Sequence, residues 1–145
     1  MLVEDSFGDA MLAQEAFDAA QSPVNLSIVS DGEEALCKLR REAPHIQWPR
    51  PELILLDLNL PRMDGHAVLT AIKADPQLQT IPVIVMTGAN SVADIDDCYR
   101  LGANSCIIKP MQFERLEEIV AAVEQFWFGV ASLPSCASIR RQHAA

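Results

Sequence analysis

"ELILLDLNLPRMDG", residues 52–65, decides how the rest of this chain is read. Four large apolar residues, 53–56, are followed at once by Asp57, where another core side chain is expected. A carboxylate at that point is costly unless it is paired, bound to a cation or left at the mouth of a cleft. The run is short and lacks polar alternation, which suits a strand covered on both faces. Asp64-Gly65 then reads as a turn ahead of a helix.

Working outward, short apolar runs alternate with amphipathic stretches. Strands are expected at residues 2–3, 26–29, 53–56, 83–86 and 106–108, and helices at 12–19, 33–41, 67–73, 92–101 and 113–128. The last helix has the clearest pattern, with Leu116, Ile119, Val120, Val123, Phe126 and Trp127 at helical spacing. Five strand–helix alternations call for an α/β fold, a parallel sheet with helices on both faces. Right-handed crossovers favour the five-stranded order 2-1-3-4-5, the flavodoxin-like doubly wound arrangement. In such a sheet the strand carboxyl ends open on one edge, and ligands bind there.

At 145 residues the chain fits one domain able to bury a core of its own. Its net charge of −9 argues against a nucleic-acid surface, which needs clustered Lys and Arg. No apolar run approaches the roughly 18 residues of a membrane span. Cys37, Cys98, Cys106 and Cys136 form no CxxC pair and no signal peptide opens the chain, so reduced thiols in a cytoplasm are expected. Cys37, Cys98 and Cys106 fall in apolar periodic segments and read as buried and inert.

The chemistry should gather at the strand ends. Strand 1 ends in Glu4-Asp5, strand 3 in Asp57, strand 4 in Thr87 and strand 5 in Lys109. Asp57 and Thr87 stand thirty residues apart, about one βαβ unit, which places them alike on neighbouring strands. Three converging carboxylates raise the pKa of at least one unless a cation intervenes. Mg²⁺ (or Mn²⁺) suits oxygen ligands, with Asp5 and Asp57 coordinating, Glu4 holding a coordinated water and Asn59 offering its carbonyl. Thr87 and Lys109 then suit an anion carried on Asp57, since phosphoryl transfer rests on positioning and charge neutralisation. No other cofactor is indicated.

The motifs "VED" at 3–5, "LLDLNLPRMDG" at 55–65, "VMTGAN" at 85–90 and "IIKP" at 107–110 resemble the receiver domain of bacterial two-component response regulators. The resemblance implies phosphorylation of Asp57 by a sensor histidine kinase, the metal set Glu4, Asp5, Asp57 and Asn59, and phosphoryl contacts from Thr87 and Lys109. It also implies a cis Lys109-Pro110 bond and a switch at Thr87 and Cys106, although the family's usual aromatic is replaced by Cys106. The insertion "APHIQWPRPEL" and the ending "FWFGVASLP" resemble the single-domain regulators of cyanobacterial phytochromes, implying such a kinase as donor and no fused output domain. The expected organisation is a receiver domain at 1–130 and a tail at 131–145. Phe126, Trp127 and Phe128 cannot all be buried by one helix face, so a homodimer or kinase contact through the last helix and tail is expected.

On this reading the chain is a signalling protein rather than an enzyme, a phosphoacceptor that assists its own phosphotransfer and dephosphorylation. It passes its state to a downstream protein through a changed surface near helix 4, strand 5 and helix 5. One rival is a receiver-like interaction module that works without phosphorylation. Another is a haloacid dehalogenase-type phosphatase, which wants a second Asp where this chain has Asn59.

Overall fold

The computed structural model describes residues 1–20, 24–88 and 92–134. The order is β1 (Leu2–Val3), α1 (Phe7–Ala19), β2 (Ile28–Val29), α2 (Gly32–Arg40), β3 (Ile54–Asp57), α3 (Gly65–Ala74), β4 (Val83–Thr87), α4 (Val92–Arg100), β5 (Ser105–Ile108) and α5 (Phe113–Glu124). All strand pairs are parallel, and the sheet runs β2-β1-β3-β4-β5, as expected from the alternation.

The twofold period of the strands divides the core between two layers. Val3, Ile54, Leu56, Val83 and Val85 face α2, α3 and α4, whereas Leu2, Leu55 and Ile84 face α1 and α5. Burial on both sides explains why "LILL" and "VIVM" show no polar alternation.

Caps set the helix starts. Asp31 accepts from the Glu33 and Glu34 N–H groups at 2.8 and 3.2 Å and opens α2, an arrangement worth about 1 kcal/mol. Asp64 does the same for α3 through Ala67 N at 2.9 Å. Helix α1 begins five residues earlier than expected, at Phe7, with Ser6 as its cap. Phe7, Met11 and Leu12 are exposed, so its first turns carry no apolar stripe in phase with the core. The inward face consists of Ala10, Ala16 and Phe17.

The last helix also departs from its expected form. Regular α-helix ends at Glu124, and Gln125–Val130 continues as a wider π-helical turn. That turn sends the three aromatics in different directions. Trp127 packs into the layer beneath α1 and α5, while Phe126 and Phe128 remain exposed, with Phe126 edge-on to Trp127 at 5.1 Å. The insertion before β3 is fastened down: Trp48 lies under the Lys38 ammonium at 4.3 Å, and Arg50 donates to the carbonyls of Gln77 and Leu39. The Lys109-Pro110 bond is not cis, and the cis peptide among the described residues is Ala43-Pro44. Of the expected tail, residues 135–145, including Cys136, lie outside the described residues, as do Ala89 and Asn90 of the fourth-strand motif.

Candidate functional site

The carboxyl edge of the sheet brings the predicted acids together. Glu4 and Asp5 follow β1, Asp57 ends the adjacent β3, and one carboxylate oxygen from each lies within 4.8 Å of the other two. Glu4 and Asp57 are buried and Asp5 is exposed, so the cluster has one wet side. Three oxygens at such spacing fit a hard divalent cation that completes its shell with water.

The end of β3 is held by its own loop. Asp57 Oδ1 accepts from Asn59 N at 3.1 Å, and Leu58 O accepts from Gly65 N at 2.9 Å. Gly65 is required by contact: a Cβ there would lie 2.4 Å from Asp57 O and 2.5 Å from Leu58 Cα. Any side chain would push the start of α3 away from the residue that carries the central carboxylate. Arg62, with φ at 63°, pairs with Asp31 at the start of α2. Those contacts hold both sides of the loop.

The cation in the cluster is Lys109, the residue after β5. Its Nζ donates to Glu4 Oε2 at 2.6 Å, Asp57 Oδ2 at 3.0 Å and Asp9 Oδ2 at 3.3 Å. Lys109 therefore sits among the acids rather than across from them. Its backbone N–H is fixed by Thr87 O at 2.8 Å, which ties the end of β5 to the end of β4. Burial alone would lower the ammonium pKa, but the hydrogen bonds and charges of Glu4 and Asp57 outweigh it and hold Lys109 above its ordinary 10.5. Glu4 moves upward from 4.5, mainly because it is buried; the Lys109 and Ser6 bonds pull it back, and the Asp57 charge adds to the rise.

Thr87 is buried at the end of β4, one residue past the register partner of Asp57. Cys106 lies in β5 opposite Val85, partly buried against the α2–α4 core layer. Its thiol is hydrogen-bonded with that of Cys98, which burial pushes up to about 11. The aromatic beside Cys106 comes instead from α4: the Tyr99 hydroxyl accepts from Cys106 N at 3.2 Å. Below it a groove of about 640 Å³ runs between β5 and α5, lined by Ile95, Cys106, Ile107, Phe126 and Trp127 among others.

Asp9 and Tyr99 are absent from the sequence reading of the site. A signal for Asp9 did exist, because Ser6-x-x-Asp9 has the spacing of a helix-start box and would have put Asp9 in the first turn of α1. Nothing comparable marks Tyr99.

Comparison with known proteins agrees with this geometry. The response regulator receiver domain family matches residues 1–121. Response regulator Rcp1 of Synechocystis sp. is 38% identical over 135 residues, covering 93% of this chain and 92% of that protein. The phosphorylated cyanobacterial phytochrome response regulator RcpA superposes with a TM-score of 0.88 at 44% identity, covering 92% of this chain and 96% of the other. The Mn²⁺-bound form of Rcp1 does so with a TM-score of 0.85 at 39% identity and the same coverage. Strand order, acidic cluster and these likenesses agree, and the chain belongs to the response regulator receiver domain family.

Proposed function

We propose that Asp57 is the phosphoacceptor of this receiver domain and takes its phosphoryl group from a sensor histidine kinase. The observation that carries this reading is the setting of the Asp57 carboxylate, buried, with one oxygen on Asn59 N–H and the other on Lys109 Nζ. Those two donors orient the carboxylate and lower the cost of approach for an anionic donor. On transfer, a carboxylate oxygen of Asp57 bonds to phosphorus and the donor's histidine nitrogen leaves. Lys109 then neutralises the new anion, and the Thr87 hydroxyl donates to it from the neighbouring strand.

The Glu4, Asp5 and Asp57 oxygens fit Mg²⁺ or Mn²⁺; Asp5, Asp57 and the Asn59 carbonyl would hold it, with Glu4 acting through water, and the cation would supply charge neutralisation at the transferred group. Support for the metal comes from a relative, since Rcp1 has a structure in an Mn²⁺-bound form. Two relatives described as phytochrome response regulators support a phytochrome-class kinase as donor. We read residues 1–130 as the receiver and 131–145 as a tail, working in the cytoplasm as a phosphoacceptor rather than a turnover enzyme. No helix among the described residues is long and apolar enough to cross a membrane.

The output surface is proposed to be α4, β5 and α5, where Cys106 lines the groove and Thr87 ends the neighbouring strand, with a downstream protein as its reader. Exposed Phe126 and Phe128 support a homodimer contact through the end of α5. Mass spectrometry after incubation with acetyl phosphate and Mg²⁺ should show one added phosphoryl group, absent in Asp57→Asn. An unmodified wild-type chain would overturn the assignment.

A further inference from the structure

Asp9 lies outside the three-carboxylate cluster, yet it closes a ring of hydrogen bonds that passes through Glu4. Ser6 N donates to Glu4 Oε1 at 3.1 Å, and Asp9 N donates to Ser6 Oγ at 3.3 Å. Lys109 Nζ then donates to Asp9 Oδ2 at 3.3 Å and to Glu4 Oε2 at 2.6 Å, completing the circuit. The ring joins the end of β1, the first turn of α1 and the end of β5.

An ammonium has three hydrogens, and here three carboxylates take them: Glu4, Asp57 and Asp9. The first two are buried and belong to the oxygen cluster; the Asp9 side chain is half exposed, at 52%, and does not. A divalent cation bound by that cluster would repel an ammonium held 2.6 and 3.0 Å from two of its carboxylates. Both of those pairs would weaken. Among the three acceptors of Lys109, Asp9 is the one the cation does not claim.

We propose that Asp9 is a positioning residue for Lys109: it holds the ammonium at the rim while Glu4 and Asp57 engage a divalent cation, and keeps it in reach of a phosphoryl group on Asp57. Asp9 thereby favours cation binding through Lys109, beyond the attraction of one more negative charge. The inference rests on the metal site proposed above.

The test is a double-mutant cycle read by Mn²⁺ titration, with free Mn²⁺ followed by electron paramagnetic resonance. Asp9→Asn should weaken Mn²⁺ binding by about three- to five-fold, the size expected of a half-exposed charge contact. In a Lys109→Met background the same substitution should cost less than about half that factor, because the ammonium it serves is gone. Asp9→Glu should recover most of the wild-type affinity, and circular dichroism should show α1 intact in every variant. Equal weakening in both backgrounds would reduce Asp9 to a remote charge and overturn the inference while leaving the metal site standing. Failure of the wild type to take up Mn²⁺ would overturn the metal site, and this inference with it.

Discussion

Replacing Lys109 by Met removes the cation from the acidic cluster while keeping most of the stem's bulk, which isolates the electrostatic part of the site. The Glu4 and Asp57 side chains are each 4% exposed and Lys109 is 22% exposed, so the pairs are largely shielded from water. Stripping one partner from a buried pair costs about 3–5 kcal/mol, because the other charge is left uncompensated. Two features reduce that figure here. Asp5 and Asp9 keep one side of the site wet, and Glu4, already displaced upward, can take a proton. We expect a loss of about 2–3 kcal/mol at neutral pH without divalent cations, a fall in Tm of roughly 5–10 °C. The sign with pH follows from Glu4. A carboxylate whose folded pKa is raised contributes stability that is fully present below the ordinary 4.5 and lost as pH rises through the folded value. Without Lys109, whose hydrogen bond and charge pull Glu4 down, that pKa rises further, so the deficit of Lys109→Met should be largest near neutrality and shrink toward acid pH. Millimolar Mn²⁺ should recover much of it by replacing the ammonium. Urea unfolding at two pH values, with and without Mn²⁺, measures all three effects. A deficit that is absent, or that ignores both pH and Mn²⁺, would refute the electrostatic account.

Gly65→Ala places a methyl group 2.4 Å from Asp57 O, so it should cost about 2–3 kcal/mol in denaturant unfolding and slow phosphorylation by acetyl phosphate. Cys98, with its thiol pushed up from 9.0 to about 11, should alkylate at mildly alkaline pH at least about 100-fold more slowly than in the unfolded chain, as followed by peptide mass spectrometry. Tyr99→Phe removes the acceptor on Cys106 N and should cost about 0.5–1 kcal/mol, with faster amide exchange at Cys106 as the specific readout. Ala at Phe126 and Phe128 should shift sedimentation toward monomer with only a modest change in unfolding, since the two residues are 52% and 39% exposed.

The parts of the fold buried on both sides were legible in the sequence, because burial leaves a direct trace in composition. The runs at 53–56 and 83–86 mark the central strands, and the charged or hydroxyl residue that ends each run marks the open edge. Helix α1 was half hidden because its opening turns face water and pack through alanines, which carry little periodic signal. The bond between Lys109 and Asp9 left no trace, unlike the meeting of Lys109 with Glu4 and Asp57 at the strand ends. Lys109 and Asp9 are separated by 100 positions, and only the fold makes them neighbours. The widened turn after Glu124 was illegible for another reason: three successive aromatics demand some departure from one helical face without saying which.

That turn resets the phase of the chain that follows. A π turn spends one extra residue on each revolution, so side chains past Gln125 are rotated relative to the stripe that α5 buries. Phe126 consequently borders the hollow beside β5, and Phe128 borders a separate hollow formed by Val24, Trp48 and Leu53. Shortening the segment by a single amino acid would rewind it and aim Phe128 elsewhere, with the sheet and its acidic edge unaltered.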